Sequence, residues 1–265
     1  MRLVSIASGS SGNCIYIGSD NTHILIDAGI STKRIEAGLA ELGVKASELS
    51  GVLVTHEHSD HIGGLGVFSR KNGIPIYTTK GTYEGILQAK NLGEIPEGLH
   101  REVFPDVHFT IGDLEISPFS IEHDAADPCA YRVDCNGSSA AVVTDLGNYS
   151  QYTIGHLRGL DAILLEANHD IHMLEVGPYP YYLKRRIMGS RGHLSNDSAG
   201  RLLGDILHDR FKKALLGHLS KENNYADLAY ETVRLEVTMG ENSYKGTDFD
   251  IAVADRNRMS EVIYI

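Results

Sequence analysis

The chain has 265 residues, of which 42% are hydrophobic and 22% charged, a composition typical of a globular protein. Its net charge of -11 argues against a broadly basic nucleic-acid-binding surface, and no apolar run is long enough to predict a membrane helix. The N-terminal apolar stretch is interrupted by Ser and Gly and does not fit a signal peptide, so Cys14, Cys129 and Cys135 are expected to be reduced thiols in a cytoplasmic protein.

Short apolar runs separated by turn residues predict β-strands in the first half of the chain, with helices between them. Ser31 is placed to cap a helix that runs to about Leu42, where Gly43 supplies the stop. The strand Gly51–Thr55 ends directly at His56. The other elements predicted here are the strands Leu3–Ala7, Cys14–Gly18, His23–Asp27 and Pro75–Tyr77, and helices near Gly64–Lys71 and Thr82–Lys90.

The second half repeats this pattern of strands followed by helices. Asn136-Gly137 predicts a tight hairpin between two of its strands. The predicted elements are the strands Leu114–Ile121, Ala130–Val133, Ala140–Thr144, Ala162–Glu166 and Ala214–Gly217, and a helix around Asn196–Leu207. Because both halves contain strands and no linker divides them, residues 1–265 are expected to form one domain of the α/β (α+β) class, a four-layer αββα sandwich.

Three His and one Asp fall within six residues directly after an apolar strand, in the sequence Thr-His-Glu-His-Ser-Asp-His at 55–61. In an extended loop, residues two apart point the same way, so His56 and His58 can reach one ion. Asp60 and His61 follow a tight turn and can face a second ion. Imidazole and carboxylate donors suit zinc, and also manganese or iron.

Three further residues would complete such a site, each at the end of an apolar strand. His123 follows SPFSIE, Asp145 follows AAVVT and His218 follows KALLG. Any one of them alone is more typical of a structural role, but together with the His-rich loop they predict a cluster of ligands. The expected sets are His56, His58 and His123 for one cation and Asp60, His61 and His218 for the other, with Asp145 bridging. The expected cofactors are two divalent ions, Zn²⁺ or Mn²⁺.

The motif THEHSDH, followed in order by His123, Asp145 and His218, resembles the metallo-β-lactamase fold superfamily over essentially the whole chain. The resemblance implies the four-layer sandwich and a dinuclear metal site. Asp27, in ILIDAG, matches the first motif of that family. Its implied role is to hold the metal-binding loop by hydrogen bonds.

Asp145 narrows the choice within the superfamily, because the zinc β-lactamases carry Cys at the matching position. His58 disfavours the oxygen-reducing diiron members, which have Glu there. Hydrolases of phosphodiesters and hydrolases of thioesters remain open, and a non-catalytic metal-binding regulatory protein is a third interpretation.

Glu166-Ala167-Asn168, with Gly-His-Leu-Ser at 192–195, is similar to the Glu and His pair of tRNase Z-type nucleases. The resemblance implies that His193 acts near the leaving oxygen and that Glu166 orients it. Asp60 is expected to serve as both ligand and proton acceptor. These residues favour phosphodiesters as the substrate.

Two groups of residues are candidates for binding phosphate or nucleic acid. Basic side chains can form paired hydrogen bonds to phosphate oxygens, and a loop of small residues can offer backbone N–H groups. A solvated helix face and a plain surface turn are the alternative interpretations. The basic candidates are Lys184, Arg185, Arg186 and Arg191, and the loop candidates are Ser10, Ser11 and Asn13.

The finer resemblance is to the YycJ/WalJ group of the superfamily, on the motifs GSGSSGNC, THEHSDHIGGL, EANHD and GPYPYYLKRRI…GHLSN. It implies a 5′-to-3′ exonuclease on double-stranded DNA, linked to DNA repair or to cell-wall regulation. A metal-activated hydroxide is the expected nucleophile. DNA rather than RNA is the expected partner, with no membrane. A thioesterase or other small-molecule hydrolase on the same metals is the alternative.

Overall fold

The computed structural model describes residues 1–265, and most of its strands are within two residues of those expected from the sequence. Asn136 and Gly137 both have positive φ, at 50° and 83°, which gives the expected tight hairpin. The strands are β1 Arg2–Ala7, β2 Cys14–Gly18, β3 His23–Ile26, β4 Leu49–Leu53, β5 Ile76–Thr78, β6 His100–Glu102, β7 Phe109–Ile111, β8 Leu114–Ser120, β9 Cys129–Cys135, β10 Ser138–Val143, β11 Ala162–Glu166, β12 Lys213–Gly217, β13 Asp250–Val253 and β14 Ile263–Tyr264.

The strands form two sheets of seven. The first has the order β14-β1-β2-β3-β4-β5-β6 and the second the order β13-β12-β11-β10-β9-β8-β7. Each sheet is mixed. In the first, β3, β4, β5 and β6 run parallel, and in the second, β10, β11, β12 and β13 run parallel. Because parallel strands end at the same edge of a sheet, residues that follow them are brought close together.

Helices cover the outer face of each sheet. Ser31 caps the first helix by accepting a hydrogen bond from the backbone N–H of Arg34, and Gly43 follows its end at φ 72°, as expected. The helices are α1 Thr32–Glu41, α2 Ser59–Ile62, α3 Leu65–Asn72, α4 Lys80–Gln88, α5 Gln151–Leu157, α6 Ile171–Val176, α7 Tyr181–Ile187, α8 Asn196–Ile206 and α9 Ala226–Met239, with a short 3₁₀ helix at Ala46–Glu48.

Three apolar clusters hold these layers together. The cluster between the sheets includes Ile17 and Leu53 from the first sheet and Val142 and Leu164 from the second. A second cluster packs α1 and α3 on the first sheet, and a third packs α5, α8 and α9 on the other. The αββα sandwich is therefore confirmed, while the single-domain organisation stays a prediction.

The three cysteines are free and buried. Burial raises the pKa of the Cys129 thiol to about 12, so it stays protonated at neutral pH. No helix combines the length and apolar character needed to cross a bilayer.

Candidate metal centre

The structure brings the seven expected ligands to one edge of the sandwich. Four of them lie in the loop after β4 and in α2, and the other three follow β8, β10 and β12. Their donor atoms form overlapping groups whose members all lie within 4.8 Å of one another. These groups are His56, His58 and His123; His56, His61 and Asp145; Asp60, His61 and His218; and a fourth, Asp145, Glu166, His193 and His218, which includes two residues outside the seven expected ligands.

Three residues of this edge have a left-handed backbone that side chains rarely adopt. Asp27, Asp145 and His218 have φ of 61°, 58° and 54°, and each lies at or just after the end of a strand. This conformation turns the chain sharply, so that the side chain points across the sheet edge. A non-glycine residue in this conformation lowers the free energy of unfolding by about 1–3 kcal/mol, and such strained residues are concentrated at functional sites.

In the first group, three imidazole nitrogens converge. His58 Nδ1 lies 3.3 Å from His123 Nε2, and the rings of His56 and His123 are 4.8 Å apart. His56 Nε2 is buried and has no hydrogen-bond partner. A buried polar atom without a partner is costly, and a cation at this point would satisfy it.

In the second group, Asp60 lies between two rings. Its Oδ2 is 3.5 Å from His61 Nε2 and 3.4 Å from His218 Nε2. Asp145 connects the two groups, since its Oδ2 is 2.9 Å from His61 Nε2 and its Oδ1 is 3.7 Å from His123 Nε2. The expected bridging position of Asp145 therefore has a geometric basis.

The electrostatics of the cluster favour cations. Burial, and then the neighbouring ring of His61, lower the pKa of His56 well below its usual value, so this ring is neutral and keeps a free lone pair. Burial opposes the charging of His61, but the carboxylates of Asp145 and Asp27 outweigh it and raise the pKa of His61 well above its usual value. The neutral ring of His56 and the concentration of buried carboxylate charge around His61 fit a site for divalent metal ions.

Asp27 sets the orientation of His61. Its Oδ2 is 2.7 Å from His61 Nδ1, and its Oδ1 accepts hydrogen bonds from the backbone and hydroxyl of Thr55. With Nδ1 donating to Asp27, Nε2 of His61 faces the cluster, where it lies 2.9 Å from Asp145 Oδ2 and is placed to bind a metal. This arrangement agrees with the role expected for Asp27.

Gly29 allows the ILIDAG segment to lie directly against the metal-binding loop. A Cβ on Gly29 would lie 1.7 Å from the backbone oxygen of Asp60. We expect Gly29→Ala to reduce the free energy of unfolding by about 3 kcal/mol and to lower metal content, because the Asp60 backbone must move. Thermal unfolding and elemental analysis measure both effects. Gly155→Ala is the control, since no atom lies within 4 Å of its Cβ position, and equal melting temperatures for the two variants would contradict the prediction.

Glu166 connects the cluster to His193. The buried Oε1 lies 3.0 Å from His193 Nδ1 and 2.7 Å from His218 Nδ1, while Oε2 accepts from the backbone N–H groups of Leu146 and Leu194. Although burial opposes it, the charge of His193 and these hydrogen bonds lower the pKa of Glu166 to about 2. One ionised carboxylate thus orients both a ring of the cluster and the ring next to it.

A cavity of about 240 Å³ opens above the cluster. Sequence reasoning missed Asn168 and Ser220 among its lining residues. Ser220 ends the sequence Gly-His-Leu-Ser at 217–220, which is identical to the sequence at 192–195, and this repeat is a signal that could have identified it. The full lining is Ser10, His58, Asp60, Asp145, Asn168, Tyr179, Leu183, Arg186, Ile187, His193, His218 and Ser220.

Among the basic candidates for phosphate binding, only Arg186 lines the cavity, where it also forms an ion pair with Asp124. Lys184 donates to the backbone oxygens of Glu175 and Gly177, Arg191 donates to that of His123, and exposed Arg185 lies beside Tyr181. The structure therefore places Lys184 and Arg191 in contacts that hold the backbone.

The three candidates in the N-terminal loop also differ in whether they reach the cavity. Ser10 faces the cavity and its hydroxyl accepts from Arg256, a cation that sequence reasoning missed. Ser11 is exposed but does not line the cavity. Asn13 is fully buried, and its amide contacts Gly9 and His61, so it organises the loop from within.

Residues 22–218 match a family model described as the β-lactamase superfamily domain. The chain belongs to the metallo-β-lactamase superfamily. Among solved structures, the superfamily fold is shared with Zn²⁺-bound PqqB from Methylobacterium extorquens (TM-score 0.72, 14% identity, 98% of this chain and 100% of that one). It is also shared with the short form of human tRNase Z (TM-score 0.67, 14% identity, 100% of both chains).

Within the metallo-β-lactamase superfamily, two relatives are similar over nearly their whole length. Exodeoxyribonuclease YycJ of Bacillus anthracis is 38% identical over 98% of this chain and 97% of its own. Exodeoxyribonuclease WalJ of Streptococcus pneumoniae is 39% identical over 93% of this chain and 91% of its own. The chain is thus a member of the YycJ/WalJ group that the sequence motifs indicated.

Proposed function

We propose that this protein is a metal-dependent nuclease that hydrolyses phosphodiester bonds in DNA, removing nucleotides from the 5′ end of a duplex. The observation that carries the proposal is His193, held by Glu166 beside the seven-ligand cluster and facing the same cavity. The names of its close relatives, exodeoxyribonucleases, support DNA as the substrate.

The ligands would hold two divalent cations, Zn²⁺ or Mn²⁺, in the two sets described above with Asp145 shared. When bound, such cations supply a nucleophile at neutral pH and offset negative charge on phosphate oxygens. This charge compensation matters in a chain of net charge -11, which otherwise repels nucleic acid.

The protein's own side chains would move the protons. Asp60 lines the cavity, and its carboxylate is placed to accept a proton from the attacking water. His193 Nδ1 is occupied by Glu166, so Nε2 is the ring nitrogen that can donate a proton to the leaving oxygen. Arg186, at the cavity wall, is placed to bind a phosphate oxygen of the same strand.

We also propose that the protein is cytoplasmic and takes part in DNA repair. Residues 1–265 are proposed to form a single domain.

The test is to incubate the protein with single- and double-stranded DNA and RNA, labelled at either end, in Mn²⁺, Zn²⁺ or Mg²⁺. We expect duplex DNA to be shortened from the 5′ end, with inhibition by a chelator and recovery on return of metal. Bis-p-nitrophenyl phosphate should also be hydrolysed. Hydrolysis of thioesters alone would support the small-molecule hydrolase, and a fully metallated protein inert on every phosphodiester would support a non-catalytic role.

A further inference from the structure

One wall of the cavity is formed by α7 and the residues before it, and this wall is aromatic and basic. Tyr179, Leu183 and Arg186 line the cavity there. Tyr181 and Tyr182 are 73% and 74% exposed, so most of each ring is accessible to a ligand. An acidic protein that presents tyrosines and cations at the mouth of its catalytic cavity has a surface suited to nucleobases and phosphates.

The spacing along α7 pairs each exposed tyrosine with a cation. Tyr181 and Arg185 are four residues apart, and the guanidinium carbon lies 6.0 Å from the ring centre. Tyr182 and Arg186 have the same spacing, one residue further round the helix. Tyr182 does not itself line the cavity, but the four-residue spacing places it one helical turn from Arg186, which does, so its ring is the one on α7 nearer to the cavity mouth.

The helix α7, which carries Tyr181 and Tyr182, is hydrogen-bonded to the segments before and after it. Lys184 Nζ donates to the backbone oxygens of Glu175 and Gly177, both at 2.7 Å, which secures α7 to the end of α6. Ile187 is buried, and its backbone oxygen accepts from the N–H of His193 at 3.0 Å. These contacts connect the helix that carries the exposed rings directly to the backbone of His193.

We propose that Tyr179 and Tyr182 form a stacking surface for nucleobases at the strand end being cut, with Arg186 on the adjoining phosphate. The proposal rests on the proposed function and names how that site holds its substrate. We place the stacked base outside the duplex, drawn onto the rings at the cavity mouth, and a base in that position has left its own stack, so the terminal pair must open. Ends that open readily, such as A·T pairs or mismatches, should therefore be cut faster than G·C ends.

The experiment compares Tyr182→Ala, Tyr182→Phe and Tyr179→Ala with Tyr264→Ala, an exposed tyrosine on the edge strand β14. The readout is kcat/KM on duplex DNA divided by kcat/KM on bis-p-nitrophenyl phosphate, which has no base. We expect this ratio to fall about 5- to 100-fold in the Ala variants, the usual effect of removing one stacked ring. The ratio should stay at the wild-type value in Tyr182→Phe and Tyr264→Ala. In the Ala variants with a lowered ratio, the preference for easily opened ends should also be weaker.

A second measurement needs no turnover. A duplex with 2-aminopurine as its terminal base and a phosphorothioate at the first linkage is titrated with metallated protein. The fluorescence change of wild type should be retained by Tyr182→Phe and lost in Tyr182→Ala. If the wild type degrades no DNA, the proposed function fails, and this titration still decides the stacking contact.

Two results would overturn the inference. An equal loss in Tyr182→Phe and Tyr182→Ala would show that the hydroxyl, and not the ring face, makes the contact. A wild-type dimer in sedimentation that Tyr182→Ala converts to a monomer would show that a second copy of the chain covers these rings.

Discussion

Replacing His193 by Ala is expected to lower kcat on duplex DNA by about 10²- to 10⁴-fold while metal content stays at the wild-type level. The reason is that His193 is not one of the seven expected ligands, and Glu166 occupies its Nδ1, which leaves Nε2 for the leaving oxygen. Because His193 also lies within reach of a cation together with Asp145, Glu166 and His218, the metal content decides between a proton donor and a ligand. The measurements are single-turnover rates on end-labelled duplex and elemental analysis of the same preparation.

The control is His108→Ala, which removes an exposed imidazole far from the cavity. A leaving group that needs no proton, such as p-nitrophenolate, should reduce the defect of the His193 variant, because the missing donor then matters less. Wild-type turnover by His193→Ala would remove this residue from the mechanism, and loss of metal would reassign it to the ligand set.

Replacing Asp145 by Asn should abolish measurable activity and lower the number of bound metal ions per chain. Asp145 is the residue that contacts both groups of donors, and Asn keeps its size while removing the charge that holds two cations close together. Asn also tolerates a left-handed backbone, so the fold should survive the change. Metal analysis, circular dichroism and the nuclease assay give the three readouts.

Asp106→Asn is a matched control, since Asp106 also has a left-handed backbone, with φ 66°, but lies exposed and away from the cavity. It should keep both metal and activity. An Asp145→Asn protein that binds full metal and cuts DNA would show that the shared position is not needed, and the dinuclear arrangement would have to be abandoned.

Much of the fold could be predicted because local signals agreed with the tertiary structure. The cap at Ser31 and the stop at Gly43 defined α1, and the hairpin at Asn136 defined the β9 and β10 pair. The longest helix, α9, was missed. It has no side-chain cap, and it buries only the small or β-branched residues Ala229, Val233 and Val237, so its core face comes from packing on α8.

The ligand cluster could be predicted because its members follow apolar strands, and in the sandwich the ends of strands from both sheets meet at one edge. The contacts made by the basic side chains could not be predicted from the sequence. Lys184 and Arg191 hold backbone oxygens that only the folded chain brings within reach. The double contact of Glu166 depends on two rings that lie 27 and 52 residues further along the chain. Arg256 reaches Ser10 across 246 residues, a pairing that no local motif indicates.

The left-handed backbone at Asp27, Asp145 and His218 also limits how this centre can be redesigned. When these three positions are mutated to change the metal preference, a new residue must first adopt the left-handed backbone, whatever ligand atom its side chain offers. Asn, Asp and Gly enter readily, whereas β-branched residues are excluded whatever their side chains could bind. Positions such as His58, which has an extended backbone at φ -64° and ψ 147°, accept a wider range of new donors and are the better starting points for such engineering.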